Sequence, residues 1–70
     1  MELEFIKNFF RNWSFTKDEM DVIMAVDKLD RGNDYLDHCA ELLLNEFNNT
    51  DLELTNENLY EIFRVTFMGE

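Results

Sequence analysis

Apolar side chains recur at spacings of three and four from the first residues of the chain. Leu3, Ile6, Phe9, Phe10 and Trp13 fall on one helical face, with Glu4, Lys7, Asn8 and Arg11 opposite. This pattern predicts an amphipathic helix over residues 2–13. Ser14-Phe15-Thr16 interrupts the period, and Thr16-Lys17-Asp18-Glu19 has the form of a capping box, in which hydroxyl and carboxylate each satisfy an unpaired backbone N–H. A second helix is predicted over 17–30, with Val22, Ile23, Val26 and Leu29 inward. Gly32 suits the left-handed position after a helix, and Asn33 or Asp34 can open the next, so residues 31–33 read as a tight turn.

The third predicted helix spans 34–47. Its apolar face is Leu36, Cys39, Ala40, Leu43 and Phe47, and Asp34, Asp37, His38, Glu41 and Asn45 line the other side. Asn48-Asn49-Thr50-Asp51 ends it. Leu52-Glu53-Leu54 alternates in the manner of a short extended connection, and Thr55 caps a fourth helix over 56–67 with Leu59, Ile62, Phe63 and Thr66 inward. The expected fold is all-α, a compact bundle of about four short amphipathic helices forming a single domain over residues 1–70.

Composition supports a folded unit. A chain of 70 residues buries only about 60% of the surface its unfolded form exposes, so its core must be dense in large apolar groups. Here the apolar fraction is 46%, with seven Phe, two Tyr and one Trp, well above that of a disordered acidic tail. No proline, repeat or low-complexity tract marks a linker. No stretch approaches the roughly 18 to 20 apolar residues that cross a bilayer, and Glu2 and Glu4 stand where a signal peptide carries bases, so a soluble cytoplasmic protein is expected. The single Cys39 reads as a small buried apolar residue.

Charge adds the feature that most needs explaining. The net charge is −10, and it is unevenly spread: residues 1–14 balance, whereas residues 32–63 carry eight carboxylates and no Lys or Arg. Such a surface repels phosphate, which disfavours direct binding to nucleic acid or to anionic membranes.

Catalytic chemistry finds little to work with. His38 and Cys39 are adjacent in sequence, so on a helix they point about 100° apart and do not form a base and nucleophile pair. Asp34, His38 and Glu41 share one helix face at metal-ligand spacing, but one helix seldom completes a coordination shell, and the favoured reading is a solvated acidic face. The expectation is a non-enzymatic protein with no metal and no cofactor.

Asp34-Tyr35-Leu36-Asp37, followed by an apolar helix and Asn45-Glu46-Phe47, resembles the acyl carrier proteins, acidic four-helix domains in which an Asp-Ser-Leu motif opens the second helix. Tyr35 stands where that family carries the serine that takes its pantetheine arm, so the resemblance implies an acidic docking helix without a prosthetic group.

Two functions follow as expectations. In the first, the acidic half meets the basic surface of a nucleic-acid-binding protein, as a nucleic-acid mimic or steric inhibitor of the phage anti-CRISPR, anti-defence or host-takeover kind, with Asp34, Asp37, Glu41, Asp51, Glu53, Glu57 and Glu61 as contacts. In the second, acidity serves only solubility and an apolar surface mediates protein interaction or homodimerisation. Met20 and Met24, one turn apart on the outer side of the second helix, are its contacts, and Phe5, Tyr60 and Phe67 are further candidates, the favoured reading of these apolar groups being an ordinary core edge.

Overall fold

The computed structural model describes residues 2–28 and 37–70, the side chains of Asp27 and Lys28 excepted. Four helices occupy them: α1 (Glu2–Asn12), α2 (Lys17–Lys28), α3 (Asp37–Phe47) and α4 (Asn56–Met68). The fold is a small all-α bundle, and each helix lies within a span that the apolar periodicity predicts, to within one residue where both ends are described. Leu29, the turn at 31–33, Asp34 and Leu36 lie outside the described residues. Leu52-Glu53-Leu54 connects α3 to α4 without forming a strand.

Local chemistry fixes the helix ends. At α2 the Thr16 amide donates to Glu19 Oε1 at 2.8 Å while the Glu19 amide donates to Thr16 Oγ1 at 3.3 Å, the reciprocal pair that the Thr-x-x-Glu spacing predicts. At α4 the extended Thr55 (φ −130°, ψ 161°) accepts the Asn58 amide on its hydroxyl at 3.2 Å. The far end of α4 closes at Gly69, whose φ of +74° is the left-handed conformation that costs an L side chain energy, and the Glu70 amide then reaches back to the Arg64 carbonyl at 3.2 Å.

The core is assembled around α3, which packs against each of the other three helices. Cys39, Ala40 and Leu43 are fully buried on it. The small Cys39 and Ala40 let neighbouring backbones come close, and the Cys39 thiol sits 3.6 Å from the Ile23 carbonyl on α2. Ile6, Phe9 and Phe10 from α1, Ile23 from α2, and Leu59 and Phe63 from α4 complete the interior with Phe47. Aromatic rings knit its α1–α4 side: Phe63 stacks on Phe67 at 4.9 Å, Phe10 meets Phe63 edge-on at 6.0 Å, and Trp13 stacks on Tyr60 at 5.1 Å.

One expectation is corrected. Lys7 belongs to the polar face of α1 by periodicity, yet it is only 9% exposed, and its ammonium pairs with Asp37 at the start of α3. The apolar stem of lysine tolerates burial while its charged end finds a carboxylate, so Lys7 bridges two helices and Asp37 is withdrawn from the outer face. Tyr60 and Phe67 lie at the core edge, as the favoured reading of their pattern has it, with their rings stacked on Trp13 and Phe63.

This packing makes Leu43 a costly truncation on α3. Leu43→Ala should destabilise the fold by about 2–5 kcal/mol, as expected for a fully buried leucine, and Thr55→Ala by about 1 kcal/mol through its lost cap. Both are measured as shifts of the urea midpoint at unchanged slope. Equal small shifts for the two variants would contradict a core centred on α3.

Candidate interaction surface

The charged groups divide into those consumed inside the fold and those left facing solvent. Glu19 belongs to the first set. It is fully buried, and beyond its capping bond it accepts the Tyr60 hydroxyl at 2.5 Å and the Arg64 guanidinium at 2.8 Å, both from α4. Arg64 also donates through Nε to Glu70 Oε2 at 2.7 Å, with Nη2 paired to the other oxygen of the same carboxylate. Burial opposes the charge on Glu19, but bonds from Tyr60, the Thr16 amide and Arg64 outweigh it and hold the carboxyl down at about 2. The bond to Glu19, together with burial, pushes the Tyr60 phenol up from its ordinary value. Bonds to Glu70 and Glu19 raise Arg64. Carboxylate and phenol are driven apart, so no proton passes between them near neutral pH, and the cluster acts as an anchor between α2 and α4.

Sequence periodicity located the Thr16–Glu19 box but not this anchor. One signal was present: Arg64 is the only Lys or Arg after Arg31, a lone base in an acidic half. The other bases whose side chains are described are similarly engaged. Lys7 holds Asp37, Lys17 lies 3.3 Å from Asp21, and Arg11 lies 3.7 Å from Glu4 while donating to Asn8 Oδ1 at 3.0 Å.

The second set is what remains. Glu41 on α3, Asp51 and Glu53 in the following connection, and Glu57 and Glu61 on α4 are all exposed, and among the described residues none of the five pairs with a base. Glu57 and Glu61 stand one turn apart on the same row of α4, directly after the loop that carries Asp51 and Glu53. Asp37, offered with them by the sequence, is partly buried against Lys7, and Asp34 lies outside the described residues. Met20 and Met24 on α2 face solvent at 39% and 52% exposure.

Two shallow grooves mark the surface. One, of about 230 Å³, lies between α1 and the first turn of α4 and is lined by Phe5, Asn8, Phe9, Asn12, Trp13 and Asn56. The other, of about 260 Å³, is formed by Glu2 with the residues around the α3–α4 connection, Phe47, Asn48, Thr50, Leu52 and Leu54. Among the described residues no group of three or more His, Cys, Asp or Glu side chains converges as metal ligands would, and no helix is long and apolar enough to cross a membrane. Comparison of the chain with protein-family models, curated proteins and solved structures finds no match.

The anchor has a pH signature. Because the folded pKa of Glu19 lies below its ordinary value of 4.5, its contribution to stability is complete above pH 4.5 and is lost as pH falls towards 2. Tyr60 acts in the opposite sense: its raised pKa makes stability fall once pH climbs above the ordinary value of 10. Urea midpoints across pH should therefore lose part of their acid slope in Glu19→Gln and part of their alkaline slope in Tyr60→Phe. The exposed Lys17→Ala control should move the midpoint by no more than about 0.5 kcal/mol equivalent. Unchanged slopes in both cluster variants would contradict the assignment.

Proposed function

We propose that this protein is a non-enzymatic acidic binding protein that covers the basic surface of a nucleic-acid-handling protein, presenting carboxylates where a nucleic acid presents phosphates. This is the mode of a nucleic-acid mimic or steric inhibitor, as in anti-CRISPR and other anti-defence or host-takeover proteins encoded by phages. The observation that carries the reading is the partition of charge: every Lys and Arg whose side chain is described is engaged by a carboxylate of the chain itself, while Glu41, Asp51, Glu53, Glu57 and Glu61 stand exposed with no base beside them among the described residues.

Exposed like charges raise the energy of the free protein, and a partner that supplies Arg and Lys relieves it. Charge-assisted hydrogen bonds from guanidinium to carboxylate add orientation to that attraction, and the long-range field speeds encounter. A rigid helix holding Glu57 and Glu61 in register, preceded by Asp51 and Glu53, offers a row of anions rather than a diffuse acidic tail. The carboxylates are on the scaffold's surface, so removing them leaves the core intact.

A Glu53/Glu57/Glu61→Gln variant keeps shape and burial while removing three charges. Pull-downs from a host lysate with the wild type and this variant should differ by a basic nucleic-acid-binding protein that only the wild type retains. Affinity for that protein should fall at least tenfold between about 0.1 and 0.5 M salt, since the Debye length shrinks to a few Å over that range. Identical partners for both forms, or a complex indifferent to salt, would overturn the proposal.

A second reading rests on Met20 and Met24, whose adjacent exposed thioethers suit an adaptable protein contact or a homodimer. The two readings diverge in solution. An acidic monomer repelled by its own charge should sediment at 8.5 kDa at two widely separated concentrations, and a concentration-dependent dimer lost in Met24→Gln would favour the apolar surface instead.

A further inference from the structure

The groove between α1 and the start of α4 is uncharged in a protein of net charge −10. Its walls are three aromatic rings, Phe5, Phe9 and Trp13, and three side-chain amides, Asn8, Asn12 and Asn56. We propose that this groove receives one arginine side chain of a basic protein partner. The inference rests on the reading above only in taking the partner to be basic.

Elimination by chemistry leads to that occupant. At about 230 Å³ the groove is smaller than the roughly 300–1,000 Å³ of sites that enclose a whole small-molecule ligand, so it accommodates a single side chain. A carboxylate or phosphate is repelled by the field of the molecule, and Arg11, the base bonded to the lining residue Asn8, already lies 3.7 Å from Glu4. A purely aliphatic side chain would strip water from three amides and return no hydrogen bonds. A guanidinium satisfies both kinds of wall: its plane stacks on aromatic faces, its five N–H groups donate to amide oxygens, and its charge suits the surrounding acidity.

Position and precedent support the same occupant. Phe5 and Phe9 stand one helical turn apart, as do Asn8 and Asn12, so rings and amides alternate along one side of α1. Trp13 is fixed by stacking on Tyr60, and its backbone amide donates to the Phe9 carbonyl at 2.9 Å, so that wall is preorganised. The chain's own Arg11 donates to Asn8 Oδ1, which shows that this amide oxygen accepts from a guanidinium and leaves Asn12 and Asn56 for an incoming one. Asn56 opens α4, so the groove ends at the first turn of the helix that carries the exposed Glu57 and Glu61. A partner arginine seated here would have neighbouring bases within reach of Glu57 and Glu61, an anchor in a pocket flanked by charge.

The test is an NMR titration of the 15N-labelled full chain with the capped tripeptide Gly-Arg-Gly and with analogues carrying Lys, citrulline or norleucine at the centre. The expected result is saturable perturbation of the Asn8, Asn12 and Asn56 side-chain amides and the Trp13 indole N–H by the arginine peptide, about tenfold tighter than by neutral, isosteric citrulline. Phe5→Ala and Asn12→Ala truncate exposed positions that leave the core in place, and each should weaken the arginine peptide about 3- to 10-fold with unchanged circular dichroism. Equal binding of citrulline or norleucine, or no saturable shift at the groove, would overturn the inference. Perturbation confined to the backbone amides of Glu53, Glu57 and Glu61 would also overturn it while leaving the acidic-surface reading standing. Groove binding that is specific for arginine in a protein whose Glu53/Glu57/Glu61→Gln variant keeps all its partners would uphold the groove and remove the other.

Discussion

Glu19 carries a full negative charge in the interior of a 70-residue bundle, and the arrangement of α2 against α4 follows from what that charge requires. A buried carboxylate is tolerated only when each of its oxygens is met by donors, and here one oxygen takes the Thr16 amide while the other takes Tyr60 and Arg64. The same side chain thus starts α2 and binds α4 to it. Tyr60, held in place by this bond, stacks on Trp13 and carries the constraint across to α1. Arg64, held at one end by Glu19, grips Glu70 at the other and secures the closing turn at Gly69.

The anchor also accounts for the character of the outer surface. With six bases and sixteen acids, each base paired within the chain neutralises one carboxylate and is spent there, so the ten acids in excess are left without a base of their own. Arg64 is the only base after Arg31, and the fold places it against Glu19 and Glu70 rather than beside Glu57 or Glu61. Lys7 is similarly used up by Asp37 at the head of α3. Among the described residues, the exposed carboxylates along α3, its following loop and α4 therefore have no base beside them, and that excess is the physical basis of the proposed interaction with a basic surface.

Much of this was legible in the chain. Helix existence followed from apolar spacing because each helix buries one stripe, and the starts of α2 and α4 followed from Thr16 and Thr55 because caps are local. The exposed positions Glu41, Glu57, Glu61, Met20 and Met24 were readable for the same reason. What local pattern does not encode is which polar residue a distant helix will claim. Glu19 was recognisable as a capping residue but not as a buried partner of residues 41 and 45 positions away, and Lys7 looked like an ordinary surface lysine. The aromatic and amide groove escaped for a related reason: Asn8, Asn12 and Asn56 are unremarkable polar residues until the packing of α1 on α4 brings them together.

The central claim is that the carboxylate row occupies the place of a nucleic acid on its partner. The direct measurement is competition at constant, moderate salt: the isolated partner is saturated with its nucleic acid, and this protein is titrated in while both complexes are monitored. Mutual exclusion is the predicted result, with the nucleic acid released as this protein binds and the Glu53/Glu57/Glu61→Gln variant releasing far less. A stable ternary complex, with both ligands bound at full occupancy, would contradict the account.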